Sequence, residues 1–351
     1  MVDRERRLEA MRQRSHQPSH TSPPAAQAGR PLVATVDRRD SRNPLLVIAG
    51  PTGVGKTAAA VALGARVPLE VISADSRQVY RGMDVATGKP TAAERAAVPH
   101  HLIDVVDPDE RFDAARFAIS ARALIADIRA RGRLPAVVGG TGLYIRALLR
   151  GLDPAVPADP GYRKELTVLA AREGRPALHA RLAAVAPALA QRLHPHDHVR
   201  VIRALERVRG GSAGAQTRWA TAEAEWDVSY VGLTMDRASL AGRLRARAAR
   251  MVAAGLEDEV RALLARGYDR QLRALSSIGY REFVAVVDGE LDRGEALRLM
   301  QRDTVRYARR QRTWFAREPS LAWLDVDAFD GDAAAVAAAI EAKLKQEGRI
   351  G

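Results

Sequence analysis

Cysteine is missing from all 351 residues, which excludes disulfides and thiolate metal sites and leaves an oxidising compartment without support. No apolar run approaches the ~20 residues that a membrane-spanning helix needs. The opening residues "MVDRERRLEAMRQRS" contain no apolar core of a secretory leader. The expectation is a soluble cytoplasmic protein with no membrane partner, and no internal repeat argues for an array. Acid is also in short supply: 42 Asp and Glu face 55 Lys and Arg, a net charge of +13 carried almost entirely by arginine. Guanidinium groups suit bidentate phosphate contact, so nucleic acid is the expected partner. A GC-rich genome would explain arginine in place of lysine, but not the excess over acid.

Residues 1–43 are rich in Arg, Ser, Gln and Pro and poor in large apolar residues. They predict a disordered basic tail that cannot offset its ordering entropy. Order begins at "PLLVIAG", where Leu45 to Ala49 predict a short buried strand, then a glycine-rich loop and a helix from Lys56. "LEVISADS" predicts a second strand and "HHLIDVVDP" a third. "FDAARFAISARALIADIRARG" predicts a helix capped by Asp113, and "LPAVVGGTGLY" a fourth strand entering a glycine turn and another helix. Strands alternating with helices predict an α/β fold, a P-loop-type parallel sheet with helices on both faces. At Gly151 the pattern changes to a proline-rich linker, and Arg163 to Arg209 reads as helix after helix up to "GGSAGA". Strand signal returns with "WDVSYVGLTMD", long helices run to Arg317, and "LAWLDVDAF" predicts one last strand. The expected organisation is a tail over 1–43, a first core segment over 44–150, an all-helical insert over 151–219 and a second core segment over 220–346.

The loop "GPTGVGKT" (Gly50, Pro51, Thr52, Gly53, Val54, Gly55, Lys56, Thr57) fills the pattern G-x-x-x-x-G-K-[ST] between a strand and a helix. Its glycines let backbone N–H groups turn inward, the helix adds its positive end, Lys56 adds a charge, and Thr57 is placed to hold Mg²⁺. A nucleotide hydrolase usually adds a second apolar strand ending in an acid. Here "LPAVVGG" ends in two glycines followed by Thr141, Asp104 is a weak substitute, and nothing positions a hydrolytic water. The loop therefore suits a diphosphate that leaves, with the chemistry done by other residues. Asp75 follows the second strand, where its carboxylate can reach a nucleophile beside bound phosphates. The same placement suits a helix N-cap, and local sequence leaves both open.

"GPTGVGKT", "DSRQVYRGMDVATGKP", "HHLIDV", "GGTGLY", "IRALE", "IGYRE" and "YARRQRTWF" follow one another in the order and spacing found in tRNA dimethylallyltransferases. From about Leu45 to Phe315 the chain resembles a bacterial member of that family. The lack of cysteine fits, since a C-terminal zinc finger like that of eukaryotic relatives is impossible. The resemblance implies transfer of a dimethylallyl group from its diphosphate to the exocyclic amine of the adenosine just 3′ of the anticodon. It implies Asp75 as general base and Thr141 as the residue that positions this acid and the incoming base. It also implies Arg247 as the arginine that grips the donor diphosphate, with Arg243 four residues earlier on the same helix face. An arginine-rich helix is otherwise usually a solvated face. The insert is implied to grip the anticodon stem-loop through Arg163 and the run Val199, Arg200, Val201, Ile202, Arg203, with Val199 standing where many relatives carry glutamine. Asp75, Ser76, Arg77 and Gln78 are implied to line the pocket entrance. Gly279, Tyr280, Arg281 and Arg310, Gln311, Arg312 fall in two further RNA-facing segments. At least one of Trp314 and Phe315 is expected in the core, and the family implies a monomer.

Three other readings compete. A small-molecule kinase would use the loop for ATP and Asp75 as base, but has no need of a basic insert. A prenyltransferase acting on free AMP would not need the RNA-facing segments. A nucleotide-switched RNA-binding protein would leave the placement of Asp75 and Thr141 without a purpose.

Overall fold

Pro44–Ala49 (β1), Leu69–Ser73 (β2), His100–His101 (β3), Leu134–Gly139 (β4), Asp227–Thr234 (β5) and Ala322–Asp325 (β6) join in one sheet. Their order is β3-β2-β4-β1-β5-β6, and every pairing is parallel. The structure, a computed structural model, describes residues 43–152, 159–211 and 226–351. The tail expected before Asn43 and the end of the "GGSAGA" loop lie outside the described residues.

Parallel neighbours cannot be joined by tight turns, so their crossover helices cover both faces and the strands become apolar throughout. In β1, Leu45, Val47 and Ala49 face one layer with Ile72, Val137, Phe117, Phe283 and Phe315. Leu46 and Ile48 face the other with Val71, Ala136, Leu233, Leu63 and Ile340. The second layer includes the helix Ala333–Gln346, which packs on Lys56–Gly64 and had no counterpart in the expected elements. Phe315 is fully buried, as expected for one of the aromatic pair, while Trp314 is partly buried at the edge of the same layer. Burying one such side chain contributes about 1.5–3 kcal/mol.

The third strand is far shorter than the expected "HHLIDVVDP". Pairing stops after His101, because Leu102 and Asp104 take left-handed backbone (φ 61° and 57°). The chain then tucks under β2's exit, where the N–H groups of Asp104 and Val105 bond the carbonyls of Gln78 and Val79. Only an isolated bridge between Tyr80 and Val106 restores pairing.

Between β4 and β5, the helices Pro160–Glu173, Arg175–Val185, Pro187–Ala190 and His198–Arg209 pack on one another. They have a hydrophobic cluster of their own, with Leu166, Leu178, Leu182 and Val201 at its centre. The buried Glu206 carboxylate receives Arg163 through both of its oxygens and Arg203 through one. Among the described residues no helix is long and apolar enough to cross a membrane.

Register brings the site together. Ala49 pairs with both Gly139 and Gly232, and Ser73 pairs with Val138. The strands therefore stop level with one another, and the loop after β1, Asp75 after β2 and Thr141 after β4 emerge at one edge of the sheet, where parallel sheets place their ligands.

Candidate active site

The loop after β1 delivers the Lys56–Gly64 helix with its N-terminus facing the sheet edge, capped by Gly55 in left-handed conformation (φ 108°). Lys56 is turned back over the loop, and its ammonium donates to the carbonyls of Gly50 (3.0 Å) and Pro51 (2.8 Å). Burial pushes its pKa down to about 8; nearby Asp75 opposes that shift and Arg247 adds to it. Thr57 is on the wall of a cavity of about 280 Å³ that the loop shares with Lys89, Arg243, Arg247 and Arg250, against only Asp75 and Glu94 as acids. That balance suits a polyanion. Lys89 itself is held by Asp84 and Asp104, and Asp104 also receives Arg95. The acid considered as a metal-supporting substitute is therefore engaged in ion pairs.

The arginine helix Arg237–Ala253 divides the expected roles. Arg243 and Arg250 are exposed, while Arg247 turns inward and reaches Thr52 Oγ1 at 3.5 Å. Burial lowers its pKa, and Asp75 works against that shift. Its guanidinium lies against Gly88, which stands in left-handed backbone (φ 58°) and would carry a Cβ only 1.8 Å from Nη2. Gln78 supports Gly88 in turn: its Oε1 accepts from Ser73 Oγ at 2.9 Å and its Nε2 donates to the Gly88 carbonyl at 3.1 Å.

Asp75 Oδ1 accepts the N–H groups of Arg77 (2.8 Å) and Gln78 (3.3 Å). It caps a turn and not a helix, so the alternative of a helix N-cap does not hold. Its other oxygen has no hydrogen bond among the described residues. Gly139 brings Thr141 alongside: a Cβ there would lie 2.2 Å from the Ala74 carbonyl, so only glycine lets β4 pass this close to β2's exit. The Thr141 N–H then donates to Ala74 O (3.1 Å), and Thr141 Oγ1 accepts the Ser76 N–H (3.1 Å). The Thr141 hydroxyl proton is left to donate. Tyr307 neighbours the same hydroxyl from the helix Arg293–Phe315.

A second cavity, of about 330 Å³, opens on the other side of Asp75. Thr52, Asp75, Thr87 and Arg247 border both cavities. The lining of the larger one is partly apolar, with Leu244, Ala248 and Met251 along one helix face and Met300 on another helix, and partly polar, with Ser76, Arg77, Thr304, Tyr307 and Arg310. Burial pushes the Tyr307 phenol up to about 12, and the Thr141 hydroxyl works against that shift.

The remaining expected residues divide. Ser76, Arg77, Tyr280, Arg281 and Arg310 line the larger cavity. Tyr280 is fully buried and donates its hydroxyl to Glu259 (2.6 Å), and Glu259 also receives the N–H groups of Asp84 and Val85. Gly279 N–H is held by Glu282, and Arg281 pairs with Glu282 and Asp303. Gln311 is buried between the loop and the β4 turn, and Arg312 is partly exposed. Arg163, Val199, Arg200, Val201, Ile202 and Arg203 line neither cavity. Val201 is fully buried, so its side chain cannot meet RNA in this structure, while Val199 is 66% exposed and Arg200 pairs with Asp197. Sequence reasoning missed Tyr307, Glu259 and Gly88. Gly88 and Tyr307 carried a signal, as the glycine of "ATGKP" and the first residue of "YARRQRTWF", and Glu259 carried none.

A family model described as IPP transferase matches residues 78–318, and one described as isopentenyl transferase matches residues 43–104. The chain is 53% identical over 282 residues to the tRNA dimethylallyltransferase of Anaeromyxobacter dehalogenans strain 2CP-C, a match covering 80% of this chain and 94% of the relative. It is 49% identical over 286 residues to the tRNA dimethylallyltransferase of Symbiobacterium thermophilum, covering 81% and 89%. Among solved structures it is similar to the full-length tRNA isopentenylpyrophosphate transferase of Bacillus halodurans, with 40% identity, a TM-score of 0.65 and coverage of 88% and 98%. It is also similar to a eukaryotic dimethylallyltransferase acting on tRNA, with 27% identity, a TM-score of 0.67 and coverage of 80% and 73%.

Proposed function

The chain belongs to the IPP transferase family, and on that premise we propose that it carries the dimethylallyl group of dimethylallyl diphosphate to the N6 amine of the adenosine 3′-adjacent to a tRNA anticodon. Diphosphate is released. The observation that carries this reading is the position of Asp75 on the border between the cationic cavity and the larger, half-apolar one.

The adenosine must leave its stack before N6 can react, and the larger cavity receives it, with Arg77 and Arg310 toward the RNA backbone. The N6 lone pair is shared with the ring, so attack on the allylic carbon builds positive charge on nitrogen. Asp75 accepts the N6 proton through the oxygen its turn leaves unused, which relieves that charge. The allylic carbon–oxygen bond breaks and its electron pair departs on the diphosphate. Lys56, Arg247 and the helix N-terminus meet the growing charge from positions set before the reaction. Thr141 keeps Asp75's turn in place and offers its hydroxyl proton to the site. The apolar wall of Leu244, Ala248 and Met251 takes the dimethylallyl chain.

Thr57 fits a role in holding Mg²⁺: it lines the cationic cavity, and its hydroxyl makes no hydrogen bond among the described residues. No group of three or more acidic or imidazole side chains gathers among those residues, which suits an ion whose other ligands are water and substrate phosphate. When bound, Mg²⁺ neutralises diphosphate charge. Of the residues implied for tRNA, the exposed arginines remain as contacts, and the tRNA substrate places the work in the cytoplasm.

The test incubates the purified protein with Mg²⁺, dimethylallyl diphosphate and unmodified tRNA, then digests the RNA and weighs its nucleosides, beside an Asp75→Asn control. Prenylated adenosine from the intact protein, with kcat lowered about 10²–10⁴-fold in the control, is the expected outcome. Equal product from both would remove Asp75 from the role of base. No product, with phosphate released from ATP in a parallel incubation, would return the kinase or nucleotide-switch reading.

A further inference from the structure

Gln311 lies within "YARRQRTW", a segment that resemblance alone gives to tRNA, yet it is 7% exposed. Both ends of its amide are engaged. Oε1 accepts the Thr52 N–H of the phosphate loop at 2.9 Å, and Nε2 donates to the Gly140 carbonyl, one residue before Thr141, at 2.8 Å. The partners settle the orientation of the amide, because a backbone N–H only donates and a carbonyl only accepts. The fit is close: a Cβ on Gly140 would lie 2.2 Å from Nε2. One side chain thus spans from the loop that holds the donor to the turn that holds the acceptor side. Tyr307 and Thr304, one and two turns earlier on the same helix face, line the larger cavity.

We infer that Gln311 is a positioning residue, which sets the spacing between the leaving diphosphate and the Asp75–Thr141 pair and does not contact RNA. The inference rests on the prenyl transfer proposed above. Spacing matters there because a displacement of about 1 Å between reacting groups can cost about 10²-fold in rate. Without Gln311 the Thr52 N–H and the Gly140 carbonyl lose their buried partner, and loop and turn are free to part.

Gln311→Met keeps the length and bulk of the side chain and removes both hydrogen bonds. Gln311→Glu keeps the acceptor for Thr52 and sets a carboxylate against the Gly140 carbonyl. Each is compared with the unaltered chain by prenylation kinetics, by affinity for inorganic diphosphate with Mg²⁺, and by affinity for an unmodified anticodon stem-loop RNA. All three are read at a temperature where circular dichroism shows every protein folded. The expected result is a kcat lower by about 10- to 100-fold, weaker diphosphate binding, and RNA affinity within about twofold of the unaltered chain, because no RNA contact is lost. A loss of RNA affinity with kcat preserved would make Gln311 an RNA reader and overturn the inference. Unchanged kcat and diphosphate affinity would overturn it as well. An unaltered chain that prenylates nothing would sink the proposed function alone, since diphosphate affinity still decides whether Gln311 holds the loop.

Discussion

Replacing Gly88 with alanine tests the donor site at a residue that lines the cationic cavity but has no role of its own in the proposed mechanism. The new Cβ would lie 1.8 Å from Arg247 Nη2, 2.9 Å from its Cζ and 3.2 Å from Met251 Cε, on a backbone at φ 58°. Left-handed backbone costs an L residue about 1–2 kcal/mol, and that is the expected loss of stability. The steric conflict falls mainly on the tip of a flexible arginine, so Arg247 swings aside and the fold survives. Its guanidinium then no longer faces the leaving diphosphate, and losing one preorganised donor of this kind costs about 10²–10³-fold in kcat. Gly289→Ala is the control: φ there is 78° and no atom lies within 4 Å of the added Cβ, so strain comes without displacement. Kinetics, diphosphate affinity and melting temperature are measured for both. Two similar melting shifts with a rate loss confined to Gly88→Ala are expected. In the double variant with Arg247→Ala, the Gly88 change should cost almost nothing further, since its effect acts through that guanidinium. Full activity in Gly88→Ala, or an equal loss in Gly289→Ala, would refute the reasoning.

Burial holds the Lys56 pKa at about 8, and only the protonated amine attracts diphosphate. The kcat/KM for the donor should therefore be full below pH 8 and fall as pH rises through that value; a flat profile to about pH 10 would contradict it. Burial alone would raise the Glu206 carboxyl, but Arg163 and Arg203 outweigh it and hold the pKa below the usual glutamate range. The stability Glu206 contributes is thus present above the unfolded value of 4.5 and lost as pH falls through the lower folded one. Glu206→Gln should cost the helices around it about 1–3 kcal/mol, seen as faster hydrogen exchange over residues 160–209 with the sheet unchanged. Thr57→Val should raise the Mg²⁺ needed for half-maximal activity at least about tenfold, and chelation with EDTA should stop the unaltered chain; equal Mg²⁺ curves would remove Thr57 from the metal.

What was legible in the sequence is what neighbouring residues dictate. Alternating strands and helices, the loop from Gly50 to Thr57, and Asp75 just past a strand end are short-range patterns, since strand or helix periodicity and loop chemistry depend on residues a few positions apart. The sheet edge then follows, because parallel strands end level and their loops emerge together. The third strand misread for the same reason: its apolar run signals burial, and burial does not distinguish a strand from a segment tucked beneath one. Tertiary structure alone decided the supporting contacts. Gln311 meets Thr52 across 259 positions, Glu259 meets Val85 across 174, and Gly88 makes room for an arginine on a distant helix. It also separated Val201, in the core of its helices, from Val199 at their surface. Such contacts form only after the core layers close, and their energy depends on which backbone groups are left buried without a partner, a quantity that no local stretch of sequence contains.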